Sequence, residues 1–169
     1  MKTTTILILL ISCCLSLGYA QEGPLEAIKS SLGEEQVSTA VLYPLDIEGV
    51  KVTDIKVDYR FPFEEGKSDL IISMDEFKSL ESAVFDLEEI DRSKLLKAFD
   101  QFSSKGFTVA FQKDSPSNFC RLITNNQNPE EAYLLVGNQK KAELLGISYP
   151  KDSKKLTESL KIKLETILN

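Results

Sequence analysis

The chain has 169 residues, with 20 Lys plus Arg, 26 Asp plus Glu and no His, and its formal net charge is −6. Its 42% hydrophobic and 27% charged residues are typical of a globular protein and argue against a largely disordered or fibrous chain. The acidic balance disfavours nucleic-acid binding, which needs a basic surface, and the absence of His removes the commonest general base and metal ligand.

Residues 1–20 have the order of a cleavable secretory signal. Lys2 supplies positive charge, residues 6–11 are apolar, and small residues stand at the −3 and −1 positions before a cut after Ala20. We therefore expect a single mature α+β domain of residues 21–169 in the periplasm or outside the cell. A lipobox-like sequence that ends at Cys13 leaves an alternative open, in which Cys13 is lipidated and anchors the protein to a membrane.

The cysteine content points to an exported domain without internal disulfides. Cys13 and Cys14 lie in the predicted signal, so Cys120 is the only Cys of the predicted mature domain. Small exported domains that lack a sufficient core usually carry several disulfides, so this domain must be stabilised by its apolar core. Cys120 lies in an apolar stretch that reads as a strand, and we expect it to be buried and inert.

The first half of the mature chain predicts one helix followed by strands. Pro24 suits the first turn of a helix over residues 24–32, and residues 37–43 are rich in β-branched side chains. Residues 55–61 alternate strictly between apolar and polar, which predicts that Tyr59 and Phe61 face the core and that Arg60 faces water.

The middle of the chain predicts a change to helical periodicity. Ser73 and Glu76 match a capping box, and apolar residues follow at helical spacing as far as Leu87. Residues 85–90 either continue this helix or form a short strand. Asp91 or Ser93 can begin a further helix.

The last third of the chain predicts four short strands and a C-terminal helix. The strands cover residues 107–111, 118–124, 132–136 and 141–147, and residues 137–140 suit a tight hairpin. A helix over residues 152–168 closes the chain. The predicted fold class is therefore α+β: an antiparallel sheet with a C-terminal β-meander, helices packed on one face, and a C-terminal helix.

The sequence offers no catalytic constellation. Without His there is no Ser-His-Asp or Cys-His pair, and one mature Cys cannot form a zinc site. The densest acidic stretch, residues 86–91, lacks the spacing of a calcium loop, and no phosphate-binding glycine motif occurs. We therefore predict no catalytic residue, no metal and no cofactor, and after the signal no apolar segment approaches the ~20 residues of a membrane span.

The leading functional hypothesis is an exported, non-enzymatic domain with a binding or accessory role in the cell envelope or outside the cell. Its partner is an unknown protein or small ligand, and its binding residues are not identified from the sequence. One alternative is a carrier of a small apolar ligand, for which a connected apolar cavity of ~300 Å³ or more is expected. Another is a hydrolase that uses paired carboxylates, for which two acids should face each other in a cleft.

Overall fold

A computed structural model describes residues 23–33, 37–53, 58–63, 68–150 and 153–168. The predicted signal, the predicted cleavage point after Ala20 and the alternative lipidation site Cys13 lie outside these residues. So does the first part of the predicted strand over residues 55–61.

The described residues form three helices, ten strands and two short 3-10 turns, and the strands occur in consecutive runs, as in an α+β protein. In chain order they are α1 (Pro24–Leu32), β1 (Val37–Tyr43), β2 (Leu45–Ile47), β3 (Val50–Val52), β4 (Asp58–Phe61), β5 (Leu70–Ser73), a 3-10 turn (Met74–Glu76), β6 (Ser79–Asp86), α2 (Arg92–Asp100), a second 3-10 turn (Gln101–Ser104), β7 (Phe107–Asp114), β8 (Phe119–Asn125), β9 (Glu131–Gly137), β10 (Lys141–Ser148) and α3 (Ser153–Leu168).

Six strands form one sheet in the order β1-β6-β10-β9-β8-β7, and every neighbouring pair is antiparallel. The last four strands follow one another as the predicted C-terminal meander. Strand β6 extends the sheet beyond β10, and β1 is its outermost strand on that side. The β2–β3 and β4–β5 pairs are separate two-stranded hairpins. The predicted α+β class and antiparallel sheet are confirmed.

Both faces of the sheet are covered. Helices α1 and α2 pack on one face, where Ile28, Leu95 and Phe99 join side chains from the central strands. The C-terminal helix α3 and the β4–β5 hairpin lie on the opposite face, where Leu164 and Phe61 are fully buried. Because the central strands have a core on each side, residues 119–123 of β8 are all buried.

Several local predictions are confirmed. Helix α1 ends before Gly33, which adopts a positive φ of 98°, and Asp91 caps α2 by accepting a hydrogen bond from the Ser93 backbone N–H at 2.7 Å. Tyr59 and Phe61 are buried and Arg60 is exposed. The alternation in β4 therefore places one face on the core and the other in water, as expected.

The helix predicted to start at Ser73 is wrong. Only a three-residue 3-10 turn forms, and the chain then enters β6. The Ser73 hydroxyl bonds to the Asp75 carboxylate at 2.8 Å and does not cap the turn. Strand β6 lies between β1 and β10 and has buried residues on both faces, so its apolar residues do not alternate. For that reason the spacing of the apolar residues in β6 resembles the spacing expected of a helix.

Candidate binding surface

The two outer strands of the sheet differ in how their free edges are covered. Strand β7 ends in Lys113 and Asp114, and the Lys113 ammonium group donates to the backbone carbonyl of Leu168 at the end of α3. Asp114 is held by two hydrogen bonds from the Arg121 guanidinium, at 2.5 and 2.8 Å. Charged side chains and a helix end therefore protect the C-terminal end of this edge, whereas Thr108 and Val109 near its start are exposed.

Strand β1 at the other side of the sheet has no such protection. Its seven residues contain no charge and no proline, and within the described part of the chain it pairs with β6 alone. Residues 38–41 are exposed, and Val41 retains 59% of its accessible surface. An uncharged outer strand of this kind presents a row of unpaired backbone N–H and C=O groups to the solvent.

A cross-strand row begins at this edge and runs inward. Val41 pairs with Glu81 of β6, Glu81 with Gly146 of β10, and Gly146 with Tyr133 of β9. Residues directly opposite each other in antiparallel strands share a face, so this row lies on the α1 side of the sheet. A Cβ atom on Gly146 would lie 3.7 Å from Leu25 Cδ1, which places α1 next to the row.

Two adjoining open clefts separate α1 from this part of the sheet. One, of about 190 Å³, extends from Leu25 and Glu26 to Thr39 and Val41 of β1. The other, of about 260 Å³, extends toward Tyr133. Leu25, Glu26 and Glu81 line both clefts, so together they form one groove, which we call the α1 groove.

Carboxylates make the α1 groove negative. Glu26 lies 3.6 Å from the Lys29 ammonium group, and Glu131 accepts hydrogen bonds from Asn125 and Asn128 at 3.1 and 2.8 Å. Glu81 has no comparable partner among the described residues. Burial, followed by the charges of Glu131 and Glu81, raises the pKa of Tyr133 to about 12.

A buried polar network on the opposite face ties a hairpin to the sheet. The Tyr59 hydroxyl donates to Glu143 at 2.6 Å, and the Lys141 ammonium group donates to the other oxygen of the same carboxylate at 2.8 Å. Burial and the Glu143 charge raise the pKa of Tyr59 far above its usual value. This network joins β4 to β10. The Lys141 ammonium nitrogen also lies 5.2 Å from the centre of the Phe61 ring.

The buried thiol and the acidic stretch have structural roles. Cys120 is fully buried, as predicted, and burial raises the pKa of its thiol, which keeps it protonated. In the stretch of residues 86–91, the Asp86 carboxylate accepts the Glu88 N–H at 2.8 Å, and Asp91 caps α2. Within the described residues, no group of three or more Cys, Asp or Glu side chains is placed to hold a metal ion.

A further open cleft of about 420 Å³ lies between the first turns of α3 and the loop after β8. Polar side chains such as Thr124, Lys154 and Thr157 share its lining with Ala110 and Pro129, and the cleft is open to solvent. It is therefore not the enclosed apolar cavity expected of a lipid-like carrier. No helix in the described ranges is both long and apolar enough to cross a bilayer.

Sequence reasoning did not identify the α1 groove. Its residues come from α1, β1, β6, β9 and β10, and only the sheet order brings them together.

Comparison with protein-family models, with curated proteins and with solved structures finds no match for this chain. No function is therefore transferred from a relative.

Proposed function

We propose that this chain is an exported, non-enzymatic binding domain that pairs an extended segment of a partner protein with the free edge of β1. The observation that carries the proposal is the contrast between the two outer strands. The C-terminal end of β7 carries charged groups and contacts α3, whereas β1 is uncharged along its whole length and exposed over residues 38–41. In strand addition, main-chain hydrogen bonds provide affinity and alternate side chains provide specificity.

Strand β1 is a preformed template for such pairing over residues 37–41. Its Cα partners on β6 run in register from Val37–Phe85 to Val41–Glu81, and the register shifts between Val41 and Tyr43. The Tyr43 hydroxyl, at the end of β1, donates to the Thr53 carbonyl at 2.6 Å. A preformed edge lowers the conformational entropy lost on binding, because only the incoming segment must be ordered.

The alternatives named from the sequence lack a comparable observation among the described residues. An apolar carrier needs an enclosed apolar cavity, whereas the clefts described above are open and have mixed polar and apolar linings. A carboxylate hydrolase needs two acids aimed at one bond. In the α1 groove, Glu131 is already bonded to two Asn side chains and Glu26 lies beside Lys29.

Selection from a displayed library of random heptapeptides tests the proposed edge pairing. The bait is the exported protein recovered after expression of the full chain, and hydrogen exchange then locates the bound peptides. We expect enriched peptides to slow amide exchange in β1, and methylation of alternate peptide nitrogens to weaken binding at least about tenfold. Failure to enrich any peptide, protection of another surface, or binding that tolerates N-methylation would contradict the proposal.

Export is tested separately by the intact mass of the protein after expression of the full chain. We expect a chain that begins at Gln21 and carries no modification. A mass that includes residues 1–20, or a lipid attached at Cys13, would contradict cleavage after Ala20. The second result would place the protein on a membrane surface.

A further inference from the structure

We propose that the segment paired with β1 carries an Arg or Lys that reaches across Val41 to the Glu81 carboxylate. This inference rests on the proposed function, because it specifies the chemistry of the segment that β1 receives. The partner is thus an extended basic segment of another protein.

The cross-strand row gives the position of this cation. Neighbouring strands lie about 4.8 Å apart, so a strand added to β1 places one residue beside Val41 and roughly 10 Å from the backbone of Glu81. A long cationic side chain and the Glu81 side chain together can span that separation. Val41 is apolar and 59% exposed, and it offers a surface on which the methylene part of Arg or Lys can lie.

The charges around this position favour a cation. Glu81 lines both clefts of the α1 groove and has no ion-pair or hydrogen-bond partner among the described residues. Lys29, the one cation of α1, lies 3.6 Å from Glu26. The net charge of −6 also attracts basic segments and repels acidic ones over longer distances.

The same charges disfavour a second copy of this chain as the occupant of β1. Pairing of β1 with its own copy would bring two acidic chains together, each of net charge −6, or −7 once Lys2 is removed with the predicted signal, and would place two Glu81 carboxylates near one interface. Like charges placed together oppose association, so neutral pH favours the basic segment over self-pairing.

A double-mutant cycle measures the Glu81 interaction. The probe is a capped peptide of seven residues that alternates Val and Arg, and its control replaces Arg with citrulline, which has nearly the same shape and no charge. We expect citrulline to weaken binding to the wild type about fivefold. In the Glu81→Gln variant the difference between the peptides should be smaller, because only the attraction by the remaining net charge is left. The matched variant Glu89→Gln removes an exposed acid from the turn after β6 and should preserve the difference between the peptides.

The outcomes separate this inference from the proposed function. If both peptides slow exchange in β1 but bind with equal affinity, strand addition stands and the cation proposal is wrong. Equal effects of Glu81→Gln and Glu89→Gln would also overturn it, because they would indicate net charge rather than a specific contact. If neither peptide slows exchange in β1, or if sedimentation at neutral pH shows that copies pair through β1 instead, the proposed function fails as well.

Discussion

Arg121 lies in the middle of β8, where its side chain is 6% exposed. It donates to Asp100 at 2.7 Å and to both oxygens of Asp114, and so joins α2 and β7 to the centre of the sheet. The two carboxylates are 50% and 40% exposed, so water can solvate them if the Arg is removed. Removal of Arg121 should therefore lower the free energy of unfolding by less than removal of one partner from a fully buried ion pair does.

We expect Arg121→Ala to lower the free energy of unfolding by about 2–3 kcal/mol, measured by urea denaturation. The matched variant Arg60→Ala removes an exposed Arg from β4 and should change stability by less than about 0.5 kcal/mol. If the two variants are equally stable, the Arg121 network contributes no more than an ordinary surface charge.

Ionisation of Tyr59 should make the stability of the protein depend on pH under alkaline conditions. Its folded pKa is raised by burial and by Glu143, so the folded protein keeps this proton while the unfolded chain releases it near pH 10. The contribution of Tyr59 to the free energy of unfolding is complete below pH 10. It falls as the pH rises above 10, by up to about 1.4 kcal/mol per pH unit.

The Tyr59→Phe variant should therefore be less stable than wild type at pH 8, because the bond to Glu143 is lost. Above pH 10 its stability should fall less steeply with pH. Burial also raises the pKa of Tyr133 and Tyr149, so part of the slope will remain. Parallel stability curves for the two proteins, from urea titrations between pH 8 and 11, would contradict this assignment.

Two glycines differ in how much room the paired residue on the neighbouring strand leaves beside them. Gly137 at the end of β9 pairs with Phe119, and a Cβ atom there would overlap the Phe119 ring. That ring is fully buried and lies 4.5 Å from the Arg92 guanidinium, so it has little room to move. A Cβ atom on Gly146 would meet Tyr133 at 3.5 Å, which is an ordinary contact distance.

We expect Gly137→Ala to destabilise the protein by about 1–3 kcal/mol, because the added methyl overpacks the core. Gly146→Ala should change the free energy of unfolding by less than about 1 kcal/mol. Thermal or urea denaturation of the two variants provides the comparison. Equal losses would show that the Phe119 ring moves aside at little cost.

The success of sequence prediction depended on how each element is buried. Helices α1, α2 and α3 have one apolar stripe each, and the strands of the C-terminal meander are separated by recognisable turns, so these elements were predictable. Strand β6 was not, because it is buried on both faces and its Leu80 and Val84 match a helical spacing. The α1 groove depends on β1 lying next to β6, a pairing between distant segments that no local pattern indicates.

At the scale of the whole molecule, the sheet has a core on each face. Fully buried side chains lie on both sides, with Phe61 and Leu164 on one and Phe85 and Phe99 on the other. The described residues contain one Cys, which is free and buried. The apolar layers therefore hold this part of the chain together, as the cysteine content predicted.

Net charge and the open edge of β1 act against each other in solution. An uncharged outer strand favours pairing between copies, whereas a charge of −6 keeps copies apart. The charge approaches zero near the isoelectric point of about 4.8. Acidification toward that pH should therefore allow copies of the protein to associate through β1.

Two variants with the same change of charge isolate the contribution of the edge. Val41→Lys places a cation on β1, and Val50→Lys places one on the separate β2–β3 hairpin, where Val50 is 66% exposed. Near pH 5, light scattering should show association of wild type and Val50→Lys, while Val41→Lys stays monomeric because a charged edge strand resists pairing. If both Lys variants associate to the same extent, the contact between copies lies elsewhere, and β1 is less accessible for strand pairing than its exposure indicates.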